Sequence, residues 1–315
     1  MTIRFATKNN FDEVLLNKEY TYFNWEYIED ASKALNSKHI SLFLEYEGNK
    51  YIIPLIKKTI LGFYPVAFSI PFGLYGGIIS GDSIDGNTYV LLMQKIRKHL
   101  KMDIIFQNIF DEAILNKTNF TKINKVFSHL APTQNLNYDE YFQKEFSHGM
   151  KEGVKKATKN NVKIVVGNTV KLIEDFYTLY EASNINWGKK KPRYSLDFFK
   201  NFLNKDYLEV RIAYHLEQPA GGLVMLKFKN YYFDWFAGMN KELRNSRAND
   251  YLHADLIKES IEKKYTMINF GASANLMGVQ KFKESFGAKE TPYHTYFYGN
   301  AITKVALQLI IKFFY

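Results

Sequence analysis

LEVRIAYHLEQPAGGLVMLKFK, residues 208–229, is the stretch from which the fold can be read. Val210, Ile212 and Tyr214 alternate with other residues, Gln218-Pro219 interrupts the run, and a second apolar run follows. Alternation broken by a turn predicts a β-hairpin, with its turn at the Gln-Pro pair. Next comes YYFDWFAGM (231–239), a strand that ends in glycine and methionine. NDYLHADLIKESIEKK (249–264) then sets Leu252, Leu256 and Ile261 at helical spacing, and YTMINFG (265–271) reads as a short apolar strand.

The same order occurs once before. HISLFLEYEGNKYIIPLIKK (39–58) is a hairpin around Gly48-Asn49, and IPFGLYGGIIS (70–80) reads as a glycine-rich strand. NTYVLLMQKIRKHL (87–100) puts Tyr89, Leu92, Met93, Ile96 and Leu100 on one helix face before the strand MDIIFQN (102–108). Asn87 and Asn249 are the expected N-caps, since an asparagine side chain accepts from free helix-end amides. A repeat spaced by about 165 residues means duplicated domains, because solenoid repeats run to 20–50 residues. The expected fold class is α/β, with strands and helices in α+β layers. The polar stretch LAPTQNLNYDEYFQKEF (130–146) marks the expected boundary, giving domains 1–140 and 141–315.

Composition narrows the chemistry. The 315 residues are 46% hydrophobic and 17% aromatic, enough to bury a large core and too apolar for wholesale disorder. A net charge of +10 suits an anionic partner such as RNA, a CoA nucleotide, a nucleotide sugar or an anionic membrane face, or simply a solubilising surface. Lys151, Lys155 and Lys159 are four apart in SHGMKEGVKKATKNNVKIVV (147–166) and share one helix face, which either meets an anion or is solvated. There is no cysteine, which excludes disulfides, thiolate metal sites and cysteine nucleophiles. The N-terminal stretch has no apolar signal region, and no run approaches 18 apolar residues, so a soluble cytoplasmic protein is expected. Neither a phosphate loop, a GxGxxG turn, a GxSxG elbow nor HExxH is present, and no metal is expected. The seven histidines are scattered, and His215 and His253 read as structural or exposed.

INFGASANLMGVQKFKESFGAKE (268–290) resembles the C-terminal signature of the FemABX-like branch of the GNAT acyltransferase superfamily. In that signature a strand ends in glycine, and a helix after a loop carries a phenylalanine-lysine pair before FG. PFGLYGGI, GVKKATKNNVKI and QPAGGLVMLKFKNYYFDWFAGM resemble further parts of the same family, from about residue 25 to 297. The resemblance implies two tandem GNAT-like domains, each a mixed, mostly antiparallel sheet flanked by helices. It also implies acyl transfer to an amine, with the donor site in the C-terminal domain. The acyl donor would be a co-substrate, either aminoacyl-tRNA or acyl-CoA.

By that resemblance Lys283 faces the acyl ester or the donor phosphates, and Phe282 shapes the pocket; the other reading of Lys283 is an exposed helix lysine. Asp234, an acid inside an apolar strand, either accepts the attacking amine's proton or pairs with a structural Arg or Lys. Tyr75, Trp235 and Asn249 join the expected substrate-binding set. The glycine loop that holds a CoA pyrophosphate is replaced by NKELRNSRAND (240–250), where Arg244 and Arg247 could bind phosphate through their side chains. The missing glycines tilt the expectation slightly towards tRNA. SNINWGKKKPRYS (183–195) lacks the arginine by which peptidoglycan-transferring members hold their precursor. Trp187, Lys190, Arg193 and Tyr194 there suit stacking on a sugar or base with phosphate pairing, or form a solvated loop.

The tail AITKVALQLIIKFFY (301–315) reads as a helix packed on the core or touching a membrane surface. The expected function is transfer of an acyl or aminoacyl group to an amine of a cell-envelope or polysaccharide precursor, without a covalent enzyme intermediate. The alternative is a non-catalytic basic module that binds RNA or an anionic glycan.

Overall fold

The computed structural model describes residues 1–300 except 17, 19–20, 61, 71, 109–119, 187–190 and 274–275. The chain divides into two compact units, Met1–Val126 with the segment that begins at Pro292, and Phe127–Thr291. This division differs from the expected 140/141 boundary at both ends. Residues 128–132 already pair with a strand of the second unit, whereas His294 to Tyr298 pair with a strand of the first.

In the first unit the described strands are β1 (Thr2–Phe5), β2 (Lys38–His39), β3 (Leu42–Tyr46), β4 (Asn49–Ile53), β5 (Ile56–Ile60), β6 (Tyr64–Ser69), β7 (Ile79–Ser80) and β8 (Asp103–Asn108). They are joined by helices α1 (Lys8–Leu15), α2 (Trp25–Ala34) and α3 (Gly86–Leu100). β1-β3-β4-β7 form one sheet, and β8-β6-β5-β2 lie in consecutive order in another. Leu42, Leu44, Ile53, Tyr89, Leu92, Met93, Ile96, Ile104 and Phe106 share a buried cluster, so the apolar face read for α3 is the one that packs. Two local expectations change. Asp85, not Asn87, caps α3, accepting from the Asn87 and Thr88 amides. The glycine-rich stretch expected as a strand is irregular between Ser69 and Ile79, with left-handed backbone at Ile70, Phe72, Gly73 and Gly77.

The second unit follows β9 (Thr121–Pro132), whose end it contains. Its elements are α4 (Tyr138–Glu145), α5 (His148–Lys159), β10 (Lys163–Gly167), α6 (Val170–Asn186), α7 (Leu196–Lys200), β11 (Leu208–His215), β12 (Gln218–Phe228), β13 (Tyr231–Met239), α8 (Ala248–Glu262), β14 (Met267–Ala272), α9 (Met277–Glu284) and the start of β15 (Lys289–Tyr298). The strand order is β10-β11-β12-β13-β14-β9; β13 and β14 are parallel and the other pairs antiparallel. α6 covers one face, and α8, backed by α5, covers the other. Both faces of β11 are therefore buried.

The hairpin of residues 208–229 forms as read, but its turn is Leu216-Glu217, both with left-handed backbone, and Pro219 lies within β12. α8 begins at Ala248, and Asn249 is inside it rather than capping it; Arg247 stands at the cap position without a side-chain cap bond. One buried polar group was not expected. Arg211 is fully buried between Glu209 (2.7 Å) and Asp255 (2.9 Å), and it also pairs with Glu259. A row that alternates as though it faced water is instead roofed by α8.

Candidate functional site

The second unit's sheet opens where its two parallel strands meet. β13 and β14 pair only from Tyr231/Met267 to Phe233/Asn269. β13 carries an irregularity at this point, with Val224 opposite Phe236 and Met225 opposite Asp234, so Trp235 has no partner across the ladder. β14 has its own irregularity: Asn269 pairs with Leu130 and Ala272 with Ser128, so the two residues Phe270 and Gly271 stand opposite one, His129. The Asn269 side chain explains it, accepting from the Gly271 amide (2.8 Å) and donating to the Tyr231 hydroxyl (2.8 Å). Gly271 has φ +63°, the left-handed region that favours glycine.

The bulge turns two carbonyls towards α9. Lys283 Nζ donates to the Gly271 and Ala272 carbonyls at 3.0 Å each. Lys283 is only 7% exposed, so it is not the surface lysine of the alternative reading. An ammonium has three donors, and one remains for a ligand. Burial lowers the Lys283 pKa towards neutrality, and the charge of Asp234 opposes that shift.

Asp234 is the complementary group. It is buried, and its Oδ1 has no hydrogen-bond partner among the described residues. Burial raises its pKa, while the Lys283 charge restrains the rise. The structural Arg or Lys partner of the other reading is not present among the described ion pairs. The nearest charged or ionisable partner in contact range is His253, whose Nε2 lies 3.9 Å from Asp234 Oδ2.

His253 was assigned no role from sequence, yet it belongs to this cluster. Its Nδ1 donates to the Asn249 carbonyl (2.8 Å), which leaves the Nε2 lone pair towards Asp234. Burial lowers its pKa to about 4, so the ring is neutral near pH 7. Phe282 meets the ring edge-on at 4.9 Å and Phe286 stacks on it at 5.1 Å. Asn249 and His253 at i and i+4 on a helix were the available signal; the spacing puts both on one face.

The other expected residues separate. Asn249 contributes its backbone carbonyl to His253, and its Oδ1 is buried without a described partner. Arg247 ties α8 to α5 through Asp250 (2.6 Å) and the Gly149 carbonyl (3.3 Å). Arg244 is exposed in the short turn before α8. Tyr194 stacks on Phe198 at 4.2 Å beneath the exposed Arg193, and Trp235 packs on Phe202 and Phe236 at 4.8 Å. Tyr75 is buried in the first unit between Tyr22 and Tyr293. Trp187, Lys190 and the tail helix lie outside the described residues. No group of three or more His, Asp or Glu side chains suited to a metal occurs among the described residues, and no described helix is long and apolar enough to cross a membrane.

Comparison with known proteins bears on the fold. Residues 146–284 match the family model described as an acetyltransferase (GNAT) domain. The whole fold is similar to that of FemX, with a TM-score of 0.71 at 11% identity over 93% of this chain and 97% of that one. It is similar to L-PGS from Bacillus licheniformis (TM-score 0.60, 11% identity, 98% of both chains). A tandem GNAT protein from the clavulanic acid biosynthesis pathway also aligns (TM-score 0.52, 9% identity, 94% of this chain and 98% of that one). No curated protein matches the chain by sequence. The resemblance to the FemABX-like branch thus holds at the level of fold, and the chain has the fold of a GNAT acyltransferase.

Proposed function

We propose that the protein transfers an activated acyl group, from aminoacyl-tRNA or acyl-CoA, to an amine of a cell-envelope or polysaccharide precursor. The observation that carries this reading is the cluster where the β13–β14 pairing ends: Lys283, held by the Gly271 and Ala272 carbonyls, and the buried Asp234, with His253 at 3.9 Å. Buried ionisable groups are costly to keep for stability alone, and such groups cluster at functional sites.

The chemistry follows from what each side chain can still do. An amine attacks the ester or thioester carbonyl, and negative charge develops on its oxygen. The remaining Lys283 donor is fixed in place by two carbonyls and meets that charge without reorganising. Asp234, with its pKa raised towards neutral pH, accepts the proton that the attacking nitrogen loses. Lys283 supplies a proton to the departing oxygen or sulfur and recovers it from Asp234. His253, kept neutral by burial and packed against Phe282, lies 3.9 Å from Asp234 and adds no positive charge beside it. The C–N bond forms as the C–O or C–S bond breaks, and no side chain is acylated.

The same chemistry serves an ester or a thioester donor, and binding separates them. Charged tRNA, uncharged tRNA and acyl-CoA are compared on the purified full chain at physiological salt. Preference for charged over uncharged tRNA supports aminoacyl transfer, and saturable binding of acyl-CoA alone supports CoA-dependent N-acylation. Equal, steeply salt-dependent binding of both tRNAs with no turnover would remove the transferase reading, because counterion release alone produces it.

A further inference from the structure

Beyond Lys283, on the far side of the β14 bulge, lies a buried histidine that the reaction above does not use. His129 on β9 stands opposite the extra residues Phe270 and Gly271, between the Ser128/Ala272 and Leu130/Asn269 pairs. It is 1% exposed. Its Nδ1 lies 3.3 Å from the Ser273 hydroxyl. Its Nε2 has no hydrogen-bond partner among the described residues, and points towards Glu284 Oε1 at 4.0 Å. Glu284 follows Lys283 in α9 and is half exposed, with Gln280 Nε2 holding the same oxygen at 3.0 Å.

We propose that His129, with Glu284 as its outer partner, carries the surplus proton of the transfer reaction from the Lys283 ammonium to solvent. This rests on the acyl-transfer reading. In that reaction an acyl ester or thioester and an ammonium give an amide, an alcohol or thiol, and one proton. Asp234 and Lys283 recycle the protons exchanged with the nitrogen and the leaving group, but a substrate that arrives as an ammonium leaves one proton over. Asp234 and Lys283 are both enclosed, so that proton needs a path. Lys283 gives a proton to the His129 ring and is refilled from Asp234; the ring releases its other proton from Nε2 to the Glu284 carboxylate, which meets water.

The groups around the ring suit this task. Burial and the Lys283 charge hold His129 below its ordinary pKa, whereas Glu290, Glu284 and the Gly271 backbone favour the protonated ring. His129 and Lys283 share the bulge: Gly271 and Ala272, whose carbonyls hold Lys283 Nζ, lie opposite His129 and its neighbour Ser128 on β9. A relay needs a base that is neutral at rest and briefly stabilised when charged, and this balance provides both.

The test has a part that needs no substrate. Nitrogen-15 histidine NMR titrations follow the His129 ring in the full chain, in Glu284→Gln and in Lys283→Met. Glu284→Gln lowers its midpoint and Lys283→Met raises it; a midpoint indifferent to both overturns the link. Glu284 is half exposed, so its variant keeps the test alive if Lys283→Met fails to fold. In the transfer assay, with whichever donor supports turnover, His129→Ala lowers kcat at least about tenfold with donor KM unchanged and leaves a cavity the size of the lost ring. Added imidazole restores part of that rate, a response that a purely structural histidine would not show. A loss that imidazole leaves untouched overturns the relay. Shifted midpoints without transfer from any donor would remove the transferase reading and, with it, the relay's purpose.

Discussion

A lysine ammonium drawn into a protein interior loses most of its hydration, and at position 283 two backbone carbonyls replace part of it. Asp234 supplies the opposing charge, and each group's burial pushes its pKa towards the other's. The acid side of the stability curve separates this cluster's members. The His253 pKa is lowered to about 4 from 6.5, so the unfolded chain binds more protons between those values and stability is lost as pH falls through that window. Asp234 is raised to about 7 from 3.8, so the folded chain binds more protons across most of the same window and stability is gained as pH falls. His253→Leu should therefore lose less stability than the parent from pH 6.5 to 4.5, and Asp234→Asn more. Each single-group slope is bounded at about 1.4 kcal/mol per pH unit, and urea denaturation at the two pH values reads it. Identical slopes in all three proteins would place neither group in the buried cluster.

At the scale of elements, the sheet of the second unit is held by close approaches that tolerate little change. At Gly238 on β13, a β-carbon would stand 2.8 Å from the Leu179 carbonyl carbon and from the Tyr180 nitrogen of α6. Neither backbone atom can swing aside, so Gly238→Ala should cost about 1–3 kcal/mol in chemical denaturation. Arg211→Leu should cost more, roughly 3–5 kcal/mol, because it removes the buried cation shared by Glu209, Asp255 and Glu259 and leaves Glu209 only Lys227 as a described charged partner, at 3.4 Å. A neutral result there would mean that Lys227 alone compensates the Glu209 charge.

These elements also show what was legible in the sequence. The hairpins, the apolar face of α3 and the second unit's order of hairpin, strand, helix and strand could be read from periodicity, because side-chain alternation reports burial directly; the first unit's expected strand at 70–80 could not. The turns slipped by one or two residues, because Leu216 and Glu217 take a left-handed conformation that composition does not advertise. Phe282 and Lys283 were legible through the family signature. The meeting of Asp234, His253 and Lys283 was not, because it depends on where the β13–β14 ladder stops. The buried Arg211 was missed for a related reason: alternation gives a strand two faces, but it does not say that a helix covers the polar one.

At the scale of the molecule, two folding units are made by one chain that returns to its first unit at Pro292. His294 to Tyr298 pair with β8, and Tyr296 and Phe297 are buried there. A chain ending at Thr291 should therefore lose the first unit's thermal transition or shift it down by several degrees. The second unit holds the Asp234, His253 and Lys283 cluster from residues 127–291 alone, so its own transition should persist. Coincident loss of both transitions would show that the units do not fold separately. The net charge of +10 adds a general attraction for an anionic donor, and it predicts binding that weakens with salt whatever the chemistry at Lys283.

The central claim is that Lys283 stabilises the charge that develops when an amine attacks an acyl donor. Its most direct test is single-turnover transfer from labelled aminoacyl-tRNA or acyl-CoA to a nucleotide-linked cell-wall precursor, with the parent and Lys283→Ala proteins side by side. Lys283→Ala should lose about 10²–10³ in the chemical rate, with unchanged circular dichroism and donor affinity. A folded Lys283→Ala protein that transfers at the parent rate would contradict it.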